Sequence, residues 1–517
     1  MSDPKQRDRR ESGRGVVVAA AVATVFVVGL MLSSLPLGVS GEWTWARQDG
    51  TVRTLPDLGM TLPTIAHAGL FLAIVAASLA GVEWIARRLA ASASPATGPA
   101  LWAFAFLTIH LSTVAVGAPY GHTRGPHVVL FPQYTGYYAA AVNDNRSFGQ
   151  WWADYDRDVA KGDVLHQGTH PPGLVAGFRI LDTAVRRLPL LAGLSRNLRL
   201  PSTEGALAAL AEASPQLDAE GEAVLHLATL LTLACAAACV WPISVLLRPS
   251  LPREWAARWA SLWAIVPAVL IFLPKSDCVL PLIALLVAVA WRRALHERSM
   301  SWGAAAGGLS LVGLLLSLGV LPVYAGLVLA TAPNLVRERN GRPFIGGMIG
   351  VATPILLASL TGLNLIAVWS ANLRNHAGFY DKYPRTALAW LPVNFVEGVV
   401  AFGAPLVFAA AFVAVGRLRF KRREPRERSV RTTVEGFVVG VLGVWVGLWL
   451  SGKNMGEAAR LWIVLDPWLL IACALVVREV PHRQWCVLAG LTAIASAACV
   501  LTVDGFGLLT SPVPLPD

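Results

Sequence analysis

The sequence predicts an all-α, polytopic transmembrane helical bundle, and three observations carry that prediction. The 517 residues are 55% hydrophobic and only 15% charged, where soluble domains carry about 25% charged residues. The mean hydropathy of +0.56 is not spread evenly. It falls into apolar blocks of about 20 residues, the length that crosses a hydrocarbon core. Arg and Lys gather in the short segments between blocks, so the net charge of +11 follows the positive-inside pattern. A lipid bilayer is therefore the expected partner, and nucleic acid is not.

Each element follows in order. Residues 1–14 form a cytoplasmic N-terminal tail, because Arg9, Arg10 and Arg14 precede the first apolar run. That run continues to Leu37 without a small-residue cleavage site, so an uncleaved span is expected near 15–37. Spans near 62–86 and 99–118 are separated by Arg87 and Arg88. The polar stretch 120–173 is the main extracytoplasmic loop and should hold short amphipathic helices. Pro171 and Pro172 open the next apolar run, at a helical turn that tolerates proline.

Residues 188–220 read as a loop with an amphipathic piece. Arg258 and Arg292 then flank an apolar stretch interrupted by Pro274-Lys275-Ser276-Asp277, which predicts a hairpin with its tip on the outer surface. The block from Trp302 to Arg337 is too long for one span at about 1.5 Å per residue. Gly319 and Pro322 break it into two short helices. Spans near 344–367, 392–415, 433–451, 459–477 and 484–503 complete a transmembrane domain over 15–503, followed by an extracytoplasmic tail, 504–517. The expectation is about 13 to 14 spans in a multi-pass protein of the cell (inner) membrane. The cysteines lie in or beside apolar blocks without a Cys-x-x-Cys pair, so they read as packing residues.

The unusual polar residues fall on the expected outer side. The long loop contributes Tyr137, Tyr138, Asp154, Asp156, His166 and His170. The hairpin tip adds Lys275 and Asp277, and later outer segments add Arg374, His376, Glu457 and Arg460. Ionisable groups at membrane depth are costly and usually functional. Acids, histidines and cations at one interface suit acid–base chemistry on a phosphorylated lipid. Each has a plainer alternative. Asp154 and Asp156 also suit a solvated helix start, and Asp277 with Lys275 also suits an interfacial ion pair. His166 and His170 have the i,i+4 spacing of a metal pair, but Pro171 biases His170 away from helix. No metal ligands are assigned, and a divalent metal ion is the one cofactor left open.

These residues resemble a known pattern. Gly136-Tyr137-Tyr138, an acidic-aromatic helix, and His170-Pro171-Pro172 before an apolar run are similar to the GT-C superfamily of membrane glycosyltransferases. The likeness is to the group with protein O-mannosyltransferases and lipid A aminoarabinose transferases, and it covers roughly residues 120–335. It implies a polyprenyl-phosphate sugar donor, a glycan, lipid or protein acceptor, and transfer with inversion on the extracytoplasmic face. It also implies a catalytic acid just after the first span. Here the Tyr-rich helix follows Gln133-Tyr134-Thr135, so the candidate bases are Glu42, Asp154 and Asp156. The substrate-binding set is then Tyr137, Tyr138, His166, His170, Lys275, Asp277, Arg374, His376, Glu457 and Arg460. Two other classes stand beside this one: a lipid-linked sugar transporter or flippase, and a non-catalytic membrane scaffold.

Overall fold

The computed structural model describes residues 4–31, 62–91, 97–115, 129–131, 135–164, 166–213, 217–338, 341–382, 385–421, 433–453, 455–456 and 458–502. Every regular element among them is helical. Seven helical segments are long and apolar enough to cross a membrane: Gly13–Met31, Ile65–Arg88, Ala219–Leu247, Ser276–His296, Arg342–Leu360, Thr433–Leu450 and His482–Thr502. An eighth is a bent pair, Trp390–Phe402 and Ala404–Arg417, which turns by 101° at Gly403. The protein is thus multi-pass by length and composition.

The expected span number was higher for a physical reason. Hydropathy counts apolar residues, whereas a span also needs unbroken helix. The limb before the hairpin tip is apolar after Arg258 but is split into α12 (Arg253–Ser261), a 3-10 turn at Leu262–Ile265, and six-residue α13 (Pro267–Phe272). Its side chains are buried in protein, and Trp259, Trp263 and Phe272 are among the largest wholly buried groups. The hairpin itself matches the sequence pattern. Its tip holds Lys275 and the 3-10 turn Ser276–Val279, and α14 (Leu280–His296) descends from it. The next block is also divided as its Gly and Pro suggested, into α15 (Met300–Leu316) and α16 (Leu321–Glu338).

In lipid, helices associate through close backbone approach at small residues. α15 packs on α17 (Arg342–Leu360) along such a seam. A Cβ at Gly307 would lie 2.2 Å from the Gly347 carbonyl oxygen, and one at Gly350 would lie 2.1 Å from that of Ala304. Only hydrogen fits at those points.

Residues 188–220, where the sequence predicts a loop with an amphipathic piece, contain α8 (Pro189–Leu198) and α9 (Pro201–Ala213). α8 follows α7 (Gly173–Arg187), and both dock on α10 (Ala219–Ala238), while α9 joins the same apolar cluster through Leu207 and Leu210. A polar stripe at i, i+4 and i+8 makes this dock. Asp218 accepts from Arg186 at 2.7 Å, Glu222 accepts from Arg199 at 2.9 Å, and His226 shares a 3.1 Å hydrogen bond with Ser195. At another end of the bundle Glu83 joins α2 (Leu62–Ala91) to α12 through Arg258, at 2.8 and 2.9 Å.

Candidate functional site

The segment before α7 builds one wall of the site. Gly136 has φ of 61°, a left-handed turn that glycine adopts without a Cβ penalty. It starts α4 (Tyr137–Val142), whose first two residues point to different places. Tyr138 packs edge-on against Phe178 and lies near Arg186, Asp182 and Asp218. Gly221 makes room for it, since a Cβ there would lie 2.5 Å from the Tyr138 hydroxyl. Tyr137 turns instead toward His170, with ring centroids 5.7 Å apart.

Tyr137 marks the convergence. Burial holds its phenol well above the ordinary value, the negative charge of Asp277 adds to this, and Arg460 pulls the other way. The hairpin tip and the segment bearing Arg460 therefore both lie within electrostatic reach of Tyr137 and its neighbour His170. The Asp277 carboxylate is half-buried and makes no hydrogen bond or ion pair among the described residues. Lys275 is buried two residues before it. A buried amine and a half-buried carboxylate at a helix break are the costly groups that apolar packing alone does not explain.

α5 (Phe148–Val159) begins with a capping box between Ser147 and Gln150. Its buried face, Trp151, Tyr155 and Val159, packs on α18 (Leu365–Lys382). Tyr155 reaches the loop beyond and donates to the His170 carbonyl at 3.0 Å. The acidic face of α5 turns elsewhere. Asp154 pairs with Arg157 at 3.1 Å and Arg146 at 3.6 Å. Asp158 pairs with Arg146 at 2.6 Å and Lys161 at 2.8 Å, and Asp144 pairs with Arg146 at 2.6 Å. Asp144 is held below the ordinary carboxylate range mainly by its bond from Arg146. For Asp158, partial burial pushes upward, but Lys161 and Arg146 outweigh it. Asp156 is half-buried and accepts from the Arg157 N–H at 2.8 Å.

The His-Pro-Pro segment is fixed by its backbone. His166 opens α6 (His166–Thr169), and His170 lies just past its end, so the two histidines do not share one continuous helix. The His166 side chain lies outside the described residues. Thr169 Oγ1 and His170 Nδ1 are 3.1 Å apart. Pro171 and Pro172 are buried and lead into α7 at Gly173. A Cβ at Gly173 would sit 2.4 Å from the Leu315 carbonyl oxygen at the end of α15. The described residues offer no group of three His, Cys, Asp or Glu side chains placed to hold a metal ion.

Arg460 lies on α22 (Ala458–Leu461), after a loop held by two buried residues of α19 (Ala387–Phe402). Asn394 accepts from the Gly456 N–H at 3.1 Å and Glu397 from the Ala459 N–H at 3.0 Å. Thus the charges of Asp277 and Arg460 both act on Tyr137, which contacts His170, and Lys275 lies two residues before Asp277. Asp154 belongs to the Arg146 cluster, and Tyr138 to the Arg186 cluster. Arg374 and His376 are exposed on α18, where His376 neighbours Tyr380. Glu42 and Glu457 lie outside the described residues. Sequence reasoning passed over Asn372, Asn375, Asn394 and Glu397. The signal for the last two was present, since Asn and Glu are rare inside an apolar span. No protein-family model, curated protein or solved structure matches this chain.

Proposed function

We propose that the protein is an inverting glycosyltransferase that uses a polyprenyl-phosphate sugar at the extracytoplasmic face of the cell membrane. The supporting observation is that Asp277, a carboxylate without a hydrogen bond or ion pair among the described residues, and the Arg460 guanidinium both act electrostatically on buried Tyr137, which packs edge-on against half-buried His170. In this reading Asp277 is the base. It accepts the proton of the acceptor hydroxyl as that oxygen bonds to the anomeric carbon. The bond from the anomeric carbon to the phosphate oxygen breaks on the opposite face, and the lipid phosphate departs as an anion. Arg460 stabilises that developing charge, and its planar fork suits two phosphate oxygens. Lys275 adds positive potential next to the carboxylate. Tyr137 and His170 bound the sugar position.

This assigns the proton transfer to Asp277 in place of Asp154 and Asp156, because the Asp154 carboxylate is shared between two arginines. The test is incubation of the purified protein with a panel of polyprenyl-phosphate sugars and acceptors, measuring release of lipid phosphate. Release with every donor no faster than without protein would sink the reading.

One observation favours a second class. The bend at Gly403 breaks a membrane helix, as discontinuous helices do in transporters of lipid-linked or soluble substrates. A flippase would move a labelled polyprenyl-phosphate sugar between leaflets of a proteoliposome without releasing lipid phosphate.

A further inference from the structure

Two irregular segments border the Tyr137 group, and one continuous stretch of chain holds both. On α18, Asn372 donates to the carbonyls of Gly168 at 2.8 Å and His170 at 3.2 Å. One turn later Asn375 donates to the carbonyls of Val159 at 3.0 Å and Gly168 at 2.8 Å. From the last turn of α18 onward the bonds run to the other segment. The Tyr380 hydroxyl accepts from the Met455 N–H at 2.8 Å, and Arg385 donates to the Met455 carbonyl. Asn394 and Glu397 on α19 then accept from Gly456 and Ala459. All of these bonds end on main-chain atoms. They satisfy backbone groups that no helix or sheet satisfies, and so fix the path of each segment.

The pattern has a chemical direction. The α18 amides supply donors to carbonyls of the His170 segment, while α19 supplies acceptors to N–H groups of the Arg460 segment. Asn372 and Asn394 are 1% and 3% exposed, so neither bond is exchanged easily for one to water. We propose that residues 372–397 form a bracket that sets the separation of His170 and Arg460, with Asn372, Asn375, Asn394 and Glu397 as positioning residues. The bracket's role in turnover rests on the transferase reading. An in-line displacement needs donor and acceptor in near-attack geometry, and a shift of about 1 Å costs on the order of a hundredfold in rate.

The donating end of the bracket gives the test. Asn→Asp replaces a donating amide with an accepting oxygen. At Asn372 and Asn375 the partners are carbonyls, so the bonds are lost and oxygen faces oxygen. The full-length protein in lipid nanodiscs is followed by amide hydrogen exchange over 164–173 and 453–461, and by turnover with the polyprenyl-phosphate sugar panel. N372D and N375D are expected to speed exchange over 164–173 roughly tenfold or more. They should lower kcat about tenfold with KM within roughly threefold. Arg87→Gln, at an exposed position on α2, should leave both readouts close to the parent. Unchanged exchange over 164–173 in N372D and N375D overturns the bracket, as does an equal effect of N372D and Arg87→Gln. Should N372D fail to fold, N375D, at a half-buried position, carries the same comparison. If the parent protein shows no turnover but the exchange pattern appears, the transferase reading fails and the bracket stands.

Discussion

Two acidic regions lie near the same loop, and they treat carboxylates in opposite ways. Around Arg146, three carboxylates share cations: Asp144, Asp154 and Asp158 each pair with it, and Arg157 and Lys161 close the set. Around Tyr137, Asp277 makes no hydrogen bond or ion pair among the described residues, and a buried lysine lies two positions before it. The first arrangement stabilises a loop. Its carboxylates are engaged, so they are poor proton acceptors. The second gives up stabilisation and leaves a group able to act. Density of acidic residues is thus the wrong guide to the candidate base, and lack of a partner is the better one.

The contrast is sharpest in activity. Asp277→Asn removes the proposed base and should lower lipid-phosphate release by about 100- to 10,000-fold, the range for losing general base catalysis. Asp154→Asn should stay within roughly threefold of the parent, since a surface ion pair contributes about 1 kcal/mol or less. Equal losses in the two variants would erase the distinction.

A second effect is on folding. Gly173→Ala places a methyl against the Leu315 carbonyl. It should destabilise by about 1–3 kcal/mol through overpacking, read as a lower unfolding temperature in detergent. Arg146→Ala comes next. It leaves three carboxylates in mutual repulsion at partly exposed positions. A loss of about 1 kcal/mol is expected after solvent screening, with turnover near the parent value.

Acid should give the smallest effect. Asp144 and Asp158 have folded-state values below their ordinary ones. Their contribution is therefore complete above the ordinary carboxylate value and is lost as pH falls through the lowered one. Below about pH 4 the loop around α5 should become more protease-sensitive, and Arg146→Ala should reduce that dependence, with Lys161 still holding Asp158.

Much of this was legible in the sequence, for local reasons. Pro274-Lys275-Ser276-Asp277 between apolar limbs announced a hairpin tip, because polar residues and proline interrupt a hydrophobic run only where the chain turns. Gly319 and Pro322 announced the break between α15 and α16. The rest depends on distant partners. The helices of 188–213 carry too little apolar length to declare themselves, and Ser195 and Arg199 tie this segment to His226 and Glu222 on α10. No local pattern says that Arg146 collects three acids, or that Tyr137 and Tyr138 part company. Asn372 looked like one more residue of an outer segment. Its value comes from facing carbonyls about two hundred positions earlier in the chain.

Gly173 closes the His-Pro-Pro motif by which the loop is recognised, yet its constraint comes from the end of α15. The fourth letter of that motif therefore reports an interhelical contact and says nothing about a reaction. In this chain the motif marks a point where backbone passes backbone. A substitution within it therefore tests that crossing, and a substitution at position 277, outside the motif, tests the proposed reaction.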